Sequence, residues 1–134
     1  MAGGFESMSN VPFYLDKARN GYGLGNGTVV DGIIKDGLWD VYNNIHMGGC
    51  ADNSAKKHGI TREQQDEYAV KSYEKAAAAW KNGVFKNEIA PVNVGKDVIV
   101  AEDEEYKKVK FDKIPSLKPV FSKDGTCYFS TNKF

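Results

Sequence analysis

TREQQDEYAVKSYEKAAAAWKNG, residues 61–83, is the stretch from which the fold can be built outward. Thr61 and Gln64 have the T-x-x-Q spacing of a capping box, in which a hydroxyl and a side-chain amide satisfy orphan N–H groups at a helix start. Glu63, Asp66 and Glu67 load that end with negative charge and complement the helix dipole. Ala69, Tyr73, Ala76 and Trp80 recur at helical spacing and form one apolar stripe. Gly83 supplies the stop, since only glycine readily takes the left-handed conformation that ends many helices. The spacing predicts a helix from about Arg62 to Asn82.

On the N-terminal side, Leu38, Val41, Tyr42 and Ile45 fall at i, i+3, i+4 and i+7 and read as another helical face. Gly48 and Gly49 interrupt it, and a shorter helix is expected from about Cys50 to Lys57, closed by Gly59. Upstream, NGYGLGNGTVVDG (residues 20–32) places glycine at 21, 23, 25 and 27 and reads as an exposed loop. It lacks a preceding β-rich strand, a GK[ST] ending and a G-x-G-x-x-G opening a helix, so it is not read as a phosphate loop. Residues 1–10 are small, polar and turn-like.

On the C-terminal side the period changes. Val92 and Val94 alternate with polar neighbours, and Val98, Ile99 and Val100 form a β-branched run, which predicts two short strands about a Gly95-Lys96 turn. Residues 102–105 read as a charged loop. Pro115 and Pro119 favour an extended course over 111–121. No element is assigned to 125–134. Helices followed by short strands give an α+β chain. Its 134 residues suit one small domain.

Composition narrows the function. Eighteen basic and eighteen acidic residues cancel, which removes the electrostatic case for nucleic acid or a membrane surface. No stretch approaches the roughly 18 apolar residues of a membrane span, and the opening residues lack a secretory or presequence pattern. Cys50 and Cys127 fit neither zinc spacing nor a disulfide framework. His46 and Cys50, four apart, would share a helical face and suggest an activated thiolate. With Gly48 and Gly49 between them, Cys50 reads better as a packing residue. Lys107, Lys108, Lys110, Lys113 and Lys118 read as a solvated edge balanced by Asp103, Glu104, Glu105 and Asp112. Tyr73 and Trp80 read as core. The residues by themselves reach a small soluble α+β domain.

Longer segments carry a resemblance. AGGFESMSNVP (2–12) is similar to the A-G-G-M-E-S-M-S run of thiolases of the acetyl-CoA acetyltransferase type, with Phe5 in place of methionine. IKDGLWDVYNNIHMGGCADNSAKK (34–57) resembles that family's D-G-L-x-D…H-M-G-x-x-A-E-x-x-A-K stretch. Residues 59–92 resemble its next helix and strand, and 103–126 the run that returns to the catalytic core. The resemblance is near continuous from Ala2 to Thr126.

It implies a five-layered αβαβα parent fold of two similar halves with an inserted loop domain of helices, short strands and long loops. Residues 1–12 would be a strip of the first half, 13–121 the coenzyme-A-binding loop domain, and 122–134 the return to the core followed by a divergent tail. The parent would condense two acetyl-CoA molecules to acetoacetyl-CoA, or thiolyse the product, through an acetyl-cysteine. Coenzyme A thioester would be substrate, with no further organic cofactor.

By the same resemblance Leu38, His46 and Met47 lie along coenzyme A. Tyr73 occupies a position that in some members contacts coenzyme A and a potassium ion. Lys108 stands where many members carry an arginine near the 3′-phosphate, keeping the charge but losing the fork. The nucleophilic cysteine, the N-E-A-F asparagine, the G-H-P histidine and the C-x-G cysteine have no counterpart here, so the chain alone is expected to be inactive. Its partners would be acetyl-CoA or coenzyme A and the remainder of a thiolase subunit, in a homotetramer, in cytoplasm or mitochondrion. After Thr126 the family continues V-T-A-G-N-A-S, whereas this chain runs through Cys127 to Phe134, which reads as a fragment. The alternative is a non-catalytic coenzyme-A-binding or subunit-association module derived from a thiolase.

Overall fold

The computed structural model describes residues 1–128, so expectations for the tail beyond Tyr128 lie outside the described residues. The chain divides into two compact units, Met1–Ser54 and Ala55–Phe134.

In the first unit, β1 (Phe13–Tyr14) pairs antiparallel with β2 (Val30–Asp31). Between them runs most of the glycine-rich segment, an exposed loop as expected up to Val29, with Gly21 and Gly25 at positive φ, whereas its end is strand β2 and the buried Gly32. Gly32 is demanded by sterics. A Cβ there would lie 2.5 Å from the Pro12 carbonyl oxygen and 2.6 Å from Val11 Cγ1. A π-type turn, Ile33–Gly37, follows.

Residues 38–45 do not form the expected helix. β3 (Trp39–Asp40) pairs antiparallel with β4 (Ile45–His46), Trp39 opposite His46. Turn chemistry overrides the apolar spacing. The Asp40 carboxylate accepts the Tyr42 N–H at 3.0 Å and the Asn43 side-chain amide at 2.5 Å, and Asn44 takes φ 56°. Such Asx turns give the backbone an alternative to a helix, and asparagine tolerates the left-handed region.

The next helix, α1, spans Met47–His58 and starts earlier than Cys50. Gly48 and Gly49 therefore lie inside it, where glycine costs stability but does not forbid a helix. α1 ends as expected: Gly59 has φ 64°, and Ile60 N–H reaches back to the Ala55 carbonyl at 2.9 Å, a Schellman closure.

In the second unit, α2 spans Arg62–Lys81, with both arms of the Thr61–Gln64 capping box present. Gly83 at φ 67° and the Val84 N–H to Ala79 carbonyl bond of 3.0 Å close it in the same way as α1. β5 (Val92–Asn93) and β6 (Ile99–Val100) form the expected hairpin, turning through Gly95, Lys96 and Asp97, all at positive φ. A short α3 (Glu105–Lys108) follows the charged loop.

Residues 111–121 are not extended throughout. Phe111–Ser116 is a 3-10 helix containing Pro115, whose fixed φ suits a 3-10 turn, and the chain becomes extended only at Leu117. α2 packs against both α3 and this 3-10 turn.

Little of this is deeply buried. Among the described residues the buried hydrophobic side chains are Ala55 and Ile114, the latter 1% exposed. The chain exposes 11446 Å². Val92, Val94, Val98, Ile99 and Val100 are all exposed. The valine hairpin carries apolar surface that its own unit does not cover.

Candidate functional site

Leu38, His46 and Met47 come together where the β3–β4 hairpin meets α1. The Met47 N–H donates to the Leu38 carbonyl at 2.8 Å, tying the two residues across the hairpin base. The Gly48 N–H, in the first turn of α1, donates to His46 Nδ1 at 3.0 Å. Nδ1 is thus the acceptor of this bond, which fixes the orientation of the ring.

Half-buried Leu38 lines a cleft of about 400 Å³ with Met8, Val11, Pro12, Tyr14 and Ile33, edged by Glu6 and Asp36. The absent side chain at Gly32 lets the Pro12 segment close one wall. The Tyr14 hydroxyl donates to Asp36 at 2.6 Å, and this bond to a carboxylate raises its pKa. Met47 lines a second, shallower cleft of about 340 Å³ with Trp39, Val41, Tyr42 and Cys50.

His46 and Cys50 do not share a helical face, because His46 belongs to β4 and Cys50 to α1. The Cys50 thiol donates to Asp40 Oδ2 at 3.6 Å. Partial burial and that carboxylate push its pKa up, the reverse of what a nucleophile needs.

Tyr73 and Lys108 belong to the second unit. Tyr73 sits on the half-buried stripe of α2, edge-on to Phe111 with ring centroids 6.3 Å apart. Trp80 stacks on Tyr106 at 6.2 Å and touches Phe85 at 5.2 Å, so both stripe aromatics serve packing. Lys108 is held between Glu104 at 2.9 Å and Glu105 at 2.8 Å, whose hydrogen bonds raise its pKa. Lys107 pairs with Glu102 at 2.6 Å. For these two lysines the solvated, ion-paired reading of the basic run is the observed one.

A cluster the sequence did not single out surrounds Arg62. Its Nε–H bonds Asp66 at 2.7 Å, and its two terminal nitrogens bond the carbonyls of Leu117 and Ile114, both at 2.8 Å. The Tyr128 ring covers the guanidinium, 4.0 Å from its centre. The Tyr128 hydroxyl is buried beside Asp66, and burial first, then its interaction with that carboxylate, push its pKa up to about 12. The i,i+4 spacing of Arg62 and Asp66 was visible, whereas the carbonyls, 55 and 52 residues away, were not.

The geometry can now be set beside known proteins. Residues 1–131 match the family model described as thiolase, N-terminal domain. The chain is 56% identical to a probable acetyl-CoA acetyltransferase of Dictyostelium discoideum, over 94% of this chain and 31% of that protein. It is 53% identical to the mitochondrial acetyl-CoA acetyltransferase of Bos taurus, over 98% of this chain and 32% of that one. It thus spans under one third of these curated relatives. The structure superposes on a thiolase from Ascaris suum in complex with coenzyme A with TM-score 0.81 and 44% identity, covering 93% of this chain and 31% of that one. An acetyl-CoA acetyltransferase from Syntrophomonas wolfei gives TM-score 0.80 at 40% identity, over 90% of this chain and 31% of that one.

Proposed function

This chain belongs to the thiolase family, and we propose that it supplies a coenzyme-A-facing part of an acetyl-CoA C-acetyltransferase. The observation that carries this reading is identity of 53–56% to acetyl-CoA acetyltransferases over nearly the whole chain. The superposition on a thiolase in complex with coenzyme A supports the same ligand. In this reading residues 13–121 are the inserted loop domain, residues 1–12 a strip of the first catalytic half, and 122–134 the start of the return to the core followed by a divergent tail, within a five-layered parent. The parent joins two acetyl-CoA molecules to acetoacetyl-CoA and coenzyme A, or runs the reverse thiolysis. Mitochondrial relatives support that compartment, with the cytoplasm as the second choice. Among the described residues no helix is long and apolar enough to cross a membrane.

Each proposed contact has a physical role. Leu38 and Met47 offer apolar surface to the pantetheine arm. His46, its ring oriented through Nδ1, lies beside them at the hairpin base. Lys108 supplies positive charge to the phosphates, which must displace Glu104 and Glu105 from its ammonium. Tyr73 would contact coenzyme A in the same reading. A potassium ion there would take the Tyr73 phenolic oxygen as one of its ligands. No step of the reading depends on that ion.

The nucleophile and the acid–base residues come from the remainder of the subunit. The exposed valines of the β5–β6 hairpin support its lying against further protein. A homotetrameric parent is part of the same reading.

The test is a chimera in which residues 2–126 replace the matching segment of a related acetyl-CoA acetyltransferase, assayed with acetoacetyl-CoA and coenzyme A. Saturable thiolysis by the chimera and none by the 134-residue chain alone is expected. A folded chimera that fails to saturate with coenzyme A contradicts the reading, as does turnover by the chain alone.

A further inference from the structure

We infer that Arg62 is the positioning residue of the second unit, holding the Phe111–Ser116 turn against α2 and thereby fixing Phe111 beside Tyr73. Arg62 sits in the first turn of α2, yet its guanidinium is turned away from water, with 19% of its side chain exposed. Three separate groups use its edge. Asp66 takes Nε–H, the Leu117 carbonyl takes one terminal nitrogen and the Ile114 carbonyl the other.

Each acceptor matters to the turn. The Ile114 carbonyl already closes the 3-10 turn by accepting the Leu117 N–H at 3.2 Å, so Arg62 adds a second donor to the same oxygen. The Leu117 carbonyl lies one residue past the turn, where the chain becomes extended. A 3-10 turn containing proline has few hydrogen bonds of its own, and its placement depends on outside donors. The Tyr128 ring lies over the guanidinium and keeps water from competing for these bonds.

The planar fork explains why arginine stands here. Lysine has one nitrogen on a flexible stem and cannot span two carbonyls three residues apart while also bonding Asp66. At its N-terminal end the turn begins with Phe111, whose ring meets Tyr73. Arg62 touches no proposed ligand contact. It acts through the turn, and its consequence for coenzyme A rests on the functional reading above.

Amide exchange on the full chain tests this with Arg62→Lys and Arg62→Ala. The Lys113 and Leu117 N–H groups, bonded at 3.0 and 3.2 Å within the segment, are the reporters. They should exchange about tenfold faster or more in Arg62→Lys, the scale of losing a charge-assisted hydrogen bond, while residues 70–80 of α2 change much less. Arg62→Ala should do the same if it folds, and Arg62→Lys keeps the test open if it does not.

Unchanged exchange over 111–117 in Arg62→Lys overturns the inference. So does acceleration as large over 70–80 as over 111–117, because Arg62 would then support the unit as a whole. A second arm adds coenzyme A at several times the dissociation constant found by calorimetric titration. Slowing of exchange over 108–117 in the wild type, lost in Arg62→Lys, links the clamp to the ligand. Absence of slowing in the wild type contradicts the coenzyme-A reading and leaves the first comparison to judge the clamp.

Discussion

Ile114 is 1% exposed and is the largest fully buried side chain among the described residues. Ile114→Ala removes three carbons from this site. At about 0.8 kcal/mol per buried methylene, transfer alone accounts for about 2.4 kcal/mol. The cavity left behind brings the expected cost to between about 2 and 5 kcal/mol. The backbone carbonyl that Arg62 holds is untouched, so the loss measures apolar packing and not the clamp. With so few other buried side chains, such a loss is a large part of the roughly 5–15 kcal/mol that holds a typical domain. Ile114→Val removes one methylene and should cost about 0.5–1.5 kcal/mol. Urea unfolding followed by far-ultraviolet circular dichroism gives both values, with Ile114→Val lying between wild type and Ile114→Ala. A cost below about 1 kcal/mol for Ile114→Ala would refute the reasoning, because a side chain in a packed interior cannot be lost so cheaply.

Three further outcomes are expected. Thr61→Ala removes one arm of the capping box and should cost about 0.5–2 kcal/mol in the same assay, less than Ile114→Ala; no change in midpoint would show that the cap is not formed. Tyr128, raised to about 12, favours folding through its neutral form. That contribution is complete below the ordinary tyrosine value near 10 and is lost as pH rises to about 12, so wild type should lose more stability than Tyr128→Phe between those limits. Parallel curves for the two would argue against burial of the phenol. The Cys50 thiol, pushed up by burial and by Asp40, should alkylate slowly at neutral pH and faster in Asp40→Asn. Equal rates would remove Asp40 as a cause.

What the sequence disclosed about the fold was its local chemistry. The α2 cap, the glycine closures at 59 and 83 and the β5–β6 hairpin depend on residues within a few positions of one another, and each is where the pattern puts it. The β3–β4 hairpin was hidden because Leu38, Val41, Tyr42 and Ile45 copy a helical period while the outcome is decided by Asp40, Asn43 and Asn44. Pro115 suggested an extended chain, yet its φ also suits a 3-10 turn, and the distant Arg62 donors settle which is adopted. For the candidate site, the hairpin base that joins Leu38, His46 and Met47 depends on that same misread turn. The family was legible in the long motifs, whose order needs no geometry. The Arg62 cluster was not, since its acceptors are backbone carbonyls, which leave no mark in a side-chain pattern.

Calorimetric titration of the 134-residue chain with coenzyme A at low and high salt tests the central claim most directly. A surface that forms only part of a thiolase site encloses little of the ligand and leaves more residues to be ordered on binding. The account therefore predicts a dissociation constant of about 1 mM or weaker, roughly −4 kcal/mol. It also predicts that the constant depends on salt, because Lys108 reaches the phosphates only by exchanging its ion pairs with Glu104 and Glu105. A micromolar constant insensitive to salt would contradict it, because the chain would then enclose a complete site by itself.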